Sequence, residues 1–134
     1  MVSGGAFRKA YQFASEREKD RFFFILNGIP LEDRHLVIVT ATTQINKRTR
    51  VRRSEVLVRL DVSDYDSLEE PSVIDCESKI VWDREFLLAE IDAHRVQPLK
   101  QLPAQIMAEI RMAVRVCKTW SADEKRLVLG EEEA

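Results

Sequence analysis

From Phe7 to Phe13 apolar and polar positions alternate, with Phe7, Tyr11 and Phe13 on one side, and this predicts a first strand. Glu16 to Asp20 reads as a charged turn. The following run, Arg21 to Leu26 (RFFFIL), is rich in β-favouring residues and stops at the turn pair Asn27-Gly28, with Pro30 just beyond. Together these segments predict a hairpin whose second strand is buried. Leu36 to Thr43 (LVIVTATT) is apolar and β-branched almost throughout, which predicts a strand through the centre of a sheet or barrel. The basic segment Lys47 to Arg53 reads as an exposed loop. Val56, Val58 and Leu60 then alternate with Glu55, Leu57 and Arg59 as a fourth strand, Ser63 to Pro71 forms an acidic loop, and Ile80 to Trp82 closes the β-rich part.

Helical patterns follow. Asp83 can cap a short helix from Arg84 to about Ala93, with Phe86, Leu87 and Ile91 on its apolar face. A brief extended stretch runs from Val96 to Leu99. Pro103 suits the first turn of a longer helix to about Lys118, in which Ile106, Met107, Ile110, Val114 and Cys117 recur at spacings of three and four. Ser121 with Glu124 has the form of a capping box, but Leu127 to Leu129 could equally pair as an edge segment, so both readings of the tail stay open. Short strands followed by helices, without regular alternation, indicate an α+β class and a small curled barrel with C-terminal helices.

At 134 residues the chain has the size of one domain and can bury about two thirds of its unfolded surface. We expect a single domain over residues 1–134: a barrel part to residue 82, a helical part to 120, and a tail. Hydrophobic residues make up 45% and charged residues 33%, as in ordinary globular proteins. No run approaches the roughly 20 apolar residues of a membrane helix, and Met1 to Ala10 lacks a charged region followed by an apolar one. A cytoplasmic protein without a membrane partner is therefore expected. Cys76 and Cys117 are too few and too far apart for a disulfide framework and read as buried thiols.

The net charge of −2 conceals an asymmetry. Residues 1–60 hold 12 Lys or Arg against 6 Asp or Glu, while residues 61–134 hold 9 against 17, giving +6 and −8. Such a split suits a fold that offers one basic face to a polyanion and keeps acidic surface elsewhere.

Much chemistry is set aside by what the chain lacks. Its four glycines form neither a Walker pattern nor a dinucleotide fingerprint, so no nucleotide cofactor is expected. His35 and His94 stand 59 positions apart without HExxH or CxxC company, and no metal is expected either. Asp61, Asp64 and Asp66 read as turn residues. What remains is Arg, Thr and Ser at strand ends. These suit a reaction that needs charge stabilisation and positioning more than a strong base. RNA cleavage by its own 2′-hydroxyl is one, since the nucleophile comes with the substrate and a guanidinium can stabilise charge on the phosphoryl oxygens.

In order along the chain, Gly5 to Phe13, Asp20 to Asn27 (DRFFFILN), Leu36 to Gln44 (LVIVTATTQ), Ser72 to Trp82 (SVIDCESKIVW) and the helix from Pro103 resemble the PemK/MazF-type growth-inhibitor toxins, in a divergent branch with a longer helical tail. That resemblance implies an SH3-like β-barrel with helices, usually a homodimer. It also implies the endoribonuclease half of a toxin–antitoxin pair, acting on single-stranded RNA without a metal and blocked by an acidic antitoxin segment. Carried over by position, Arg21 is the catalytic arginine and Thr42 the catalytic threonine, with Thr43 one residue further on as the alternative register. Ser72 assists near the phosphate, and Thr43, Arg48, Arg50, Arg52 and Arg53 contact RNA. Phe22 stands where the family commonly has proline, and the second half is acidic. These departures sustain an alternative: a noncatalytic SH3-like module that binds a peptide or nucleic acid.

Overall fold

The structure is a computed structural model that describes residues 1–11 and 19–130. Phe13 and residues 16–18 of the expected turn lie outside the described residues, as do residues 131–134. Seven described strands form one antiparallel sheet: β1 (Ala6–Tyr11), β2 (Lys19–Ile25), β3 (His35–Thr42), β4 (Leu57–Leu60), β5 (Ser72–Asp75), β6 (Ile80–Asp83) and β7 (Gln97–Leu99). Their order is β4-β5-β3-β2-β1-β7, with β6 also pairing β3. The long third strand makes this possible. Its residues Ala41 and Thr42 pair with β5, whereas His35 to Ile38 pair with β6.

Both faces of the sheet are covered, which explains the unbroken apolar runs of β2 and β3. Phe23, Ile25, Leu36 and Ile38 point to one face and pack with Phe7 and Leu87, while Phe24, Leu26, Val37 and Val39 face the other. On that second face lies the larger core, filled by Ile106, Met107, Ile110 and Val114 of helix α3 (Ala104–Val116). Val58 and Leu60 of β4 lie in this core and Leu99 of β7 packs against it, so both ends of the sheet order border one core. The sheet must curl to bring them together, and the α+β class with a curled sheet stands as expected.

Four expectations change. The basic segment is no loop but helix α1 (Ile45–Val51), although it buries no residue. Electrostatic contacts tie it to the sheet: Arg48 within the helix and Arg52 just past its end both contact the buried Asp75. Asp83 makes no cap bond to helix α2 (Arg84–Asp92), because its carboxylate lies 3.0 Å from His35 Nδ1 across the β3–β6 pair. The β-rich part does not close at Trp82, since β7 returns to pair with β1 at the sheet's edge. Lastly, Val56 sits in a 3-10 turn (Ser54–Val56) just before β4. The tail is helical to Leu129: helix α4 (Ala122–Leu129) starts with a complete capping box between Ser121 and Glu124.

The link between α3 and α4 is pinned to the β5–β6 turn. The Glu77 carboxylate accepts from the backbone N–H of Lys118 (2.9 Å) and Thr119 (3.0 Å) and from the Thr119 hydroxyl (2.9 Å). Trp120 Nε1 donates to the Cys76 carbonyl at 2.7 Å. These bonds hold the helices on the sheet and leave the opposite ends of β2, β3 and β5 open.

Candidate functional site

Strand pairing brings the expected site residues together before any side chain is considered. Phe22 pairs with Ala41, so the same register carried one step outward sets Arg21 opposite Thr42. Thr42 in turn pairs with Val73, the neighbour of Ser72. Residues far apart in sequence thus share one end of three adjacent strands. A cleft of about 150 Å³ opens there, lined by Arg21, Thr42, Thr43 and Ser72. Lys19, Asp20, Glu69 and Glu70 also line it, and none of these four was an expected site residue. Lys19 could have been found from the period-two pattern, because it lies two residues before Arg21 and so on the same face of β2. The two glutamates arrive from the acidic loop, whose path is not legible from its composition.

The hydroxyls differ in what they can do. Thr42 Oγ1 accepts from the Gln44 backbone N–H at 3.2 Å and, among the described residues, donates to nothing. Its proton can therefore be given to an incoming phosphate oxygen. Ser72 is buried, and its hydroxyl already donates to the Glu70 carbonyl at 3.1 Å. As it stands, Ser72 offers only lone pairs, which a phosphate does not seek. Arg21 is half-buried, and its Nε donates to the Tyr11 carbonyl at 3.3 Å, which fixes where its guanidinium sits.

The basic cluster is divided by its tertiary partners. Arg48 Nη1 lies 3.4 Å and Arg52 Nε 3.0 Å from Asp75 Oδ2, and Arg52 also donates to the Ser78 hydroxyl. Arg50 Nε donates to the Asn46 carbonyl of its own helix. Arg53 is turned toward α3, donating to the Val116 carbonyl at 2.8 Å and pairing with Glu55. Arg48 is the one of the four that lines a cleft together with Arg21: a second depression of about 150 Å³, which shares Lys19, Arg21 and Thr42 with the first. Arg50, Arg52 and Arg53 line neither cleft.

Neither thiol has nucleophilic character. Burial pushes the Cys76 thiol far above the ordinary range, and burial together with the Glu77 carboxylate takes Cys117 up to about 12. Among the described residues no group of three or more His, Cys, Asp or Glu could hold a metal ion, and no helix is long and apolar enough to cross a membrane.

No protein-family model matches the chain, and no curated protein matches its sequence. Its fold is similar to that of a chain in the crystal structure of MazE-MazF (Form-III) from Deinococcus radiodurans, at 13% sequence identity and a TM-score of 0.53. The likeness covers 83% of this chain and 89% of that one. This chain therefore has a MazF-like fold.

Proposed function

We propose that the protein is a growth-inhibiting toxin that cuts single-stranded RNA without a metal and is neutralised by an antitoxin. The observation that supports this most is the convergence of Arg21, Thr42 and Thr43 at one cleft of a MazF-like fold. In this reading the substrate's 2′-hydroxyl loses its proton to water and its oxygen bonds to the neighbouring phosphorus. The bond from phosphorus to the 5′-oxygen breaks and that oxygen takes a proton from water, leaving a cyclic phosphate and a 5′-hydroxyl end. Arg21 stabilises the charge gathering on the phosphoryl oxygens, and Thr42 donates its free hydroxyl proton to one of them. Ser72 assists once its hydroxyl turns from Glu70. The similar fold occurs in a MazE-MazF crystal structure, which supports a protein partner; that this is an acidic antitoxin segment, and that the chain pairs as a homodimer, is carried from the sequence resemblance. Incubating purified protein with mixed RNAs in a chelator tests the reaction. Cleavage ends bearing cyclic phosphate, reduced about a hundredfold or more by Arg21→Ala, are expected. Intact RNA from folded protein would refute it.

A noncatalytic binding module is the second reading. It is favoured by the carboxylates of Asp20, Glu69 and Glu70 along the cleft and by the engaged hydroxyl of Ser72. Tight RNA or peptide binding without cleavage distinguishes it.

A further inference from the structure

The second cleft differs from the first in charge. It has the wall of Lys19, Arg21 and Thr42 in common and adds Thr40, Gln44, Arg48 and Ser78, with no acidic side chain among the described residues of its lining. Asp75 lies behind it, but that carboxylate is already held by Arg48, Arg52, the Ser78 hydroxyl and the Glu77 backbone N–H. Lys19, Arg21 and Arg48 thus bring cationic side chains to the lining, and the Asp75 carboxylate is paired with Arg48 and Arg52. Spare donors accompany them. Arg48 Nε is buried without a hydrogen-bond partner, and the Thr40 hydroxyl and Gln44 side-chain amide make no hydrogen bond among the described residues. A volume of about 150 Å³ equals the liquid share of roughly five waters, enough for a small hydrated anion and too little for a folded partner.

The geometry points to a phosphate-binding subsite in this second cleft: it takes the RNA phosphate next to the one held at Arg21 and Thr42, with Lys19 and Arg48 supplying charge and Thr40 and Gln44 supplying donors. A phosphate only accepts hydrogen bonds and is repelled by carboxylates, and Asp20, Glu69 and Glu70 line the first cleft and not the second. Because Asp75 restrains Arg48, that side chain gives up little freedom on binding. The inference rests on the ribonuclease reading for its RNA, and its test uses binding alone.

The probe is a short single-stranded RNA, 2′-O-methylated throughout so that it cannot be cut, with one linkage at a time replaced by an uncharged methylphosphonate. Wild type and Lys19→Gln are titrated with each, and Gln44→Ala serves as a second variant; both positions are exposed, so folding is not at stake. In wild type, one replacement is expected to weaken binding about tenfold, the order of a charge-assisted contact. In Lys19→Gln the same replacement has less effect, and the slope of log affinity against log salt falls by about 0.7. Equal losses in wild type and both variants at every linkage, or no binding by wild type, would overturn the subsite. Inorganic phosphate is the second arm. If it shifts the Thr40 and Gln44 amide resonances in wild type but not in Lys19→Gln while no linkage couples, the cleft takes a free phosphate and not an RNA chain. Coupling without any cleavage in chelator keeps the subsite and removes the ribonuclease.

Discussion

Glu77 ties the helical part of the molecule to the sheet through its carboxylate, so replacing it with Gln should cost stability in a pH-dependent way. Burial alone would raise this carboxyl, but the bonds from Lys118 N–H, Thr119 N–H and the Thr119 hydroxyl outweigh it and bring the group from its ordinary 4.5 down to about 2. Taken at face value, such a change is worth about 3 kcal/mol by linkage. Glu77 is only partly buried, and solvent screening reduces this to roughly 1–2 kcal/mol. Since the folded-state value is depressed, the stabilisation is complete above the unfolded value and is lost as pH falls toward the folded one. It is full at neutral pH, more than half gone by about pH 3, and absent below about pH 2. A chain of 134 residues has an unfolding entropy that converts 1–2 kcal/mol into about 4–7 °C of Tm. Paired thermal melts of wild type and Glu77→Gln from pH 3 to 7 should therefore show a gap of that size at pH 7 that narrows on acidification. The depressed carboxyls of Glu90 and Glu124 are common to both proteins and cancel from the difference. A gap that stays constant over this range, or no gap at pH 7, would refute the argument.

Two further substitutions test the packing. His94 has φ 57° and follows α2 with both hydrogen bonds of a Schellman motif, His94 N–H to Ile91 O and Arg95 N–H to Glu90 O, so His94→Gly should relieve left-handed strain and raise Tm by about 2–4 °C. A fall in Tm would show the imidazole to be worth more than the strain. Trp120→Phe keeps most of the apolar bulk but leaves the buried Cys76 carbonyl without its donor, and urea unfolding should show a loss of roughly 1–3 kcal/mol. An unchanged urea midpoint would show that water replaces the indole.

Much of the frame was legible from the residues alone. Arg21 to Leu26 and Leu36 to Thr43 had to be strands covered on both faces, because no half-buried strand carries so continuous an apolar run. Ile106, Met107, Ile110 and Val114 marked α3 and its buried stripe, while Ser121 with Glu124 offered a capping box as one of two open readings of the tail, and the structure has the helix. Arg21, Thr42 and Ser72 were nominated by the family resemblance of the segments that hold them. These signals are local: burial sets the periodicity and capping needs only neighbouring residues, so both are written in consecutive positions.

Only the tertiary structure decided what the charged and hydroxylated side chains do. Where composition suggested a loop there is helix α1, and Asp75, more than twenty positions away, holds Arg48 within it and Arg52 just past its end. Asp83 serves His35 and not a helix end, since β3 and β6 lie side by side. Arg53 turns toward Val116, Ser72 gives its proton to Glu70, and Lys19 emerges at the wall between two clefts. A charge or a hydroxyl answers to whichever group lies within a few ångströms. Apolar patterning fixes which strands are buried, but the partners that the polar groups meet are set by how those strands are laid beside one another.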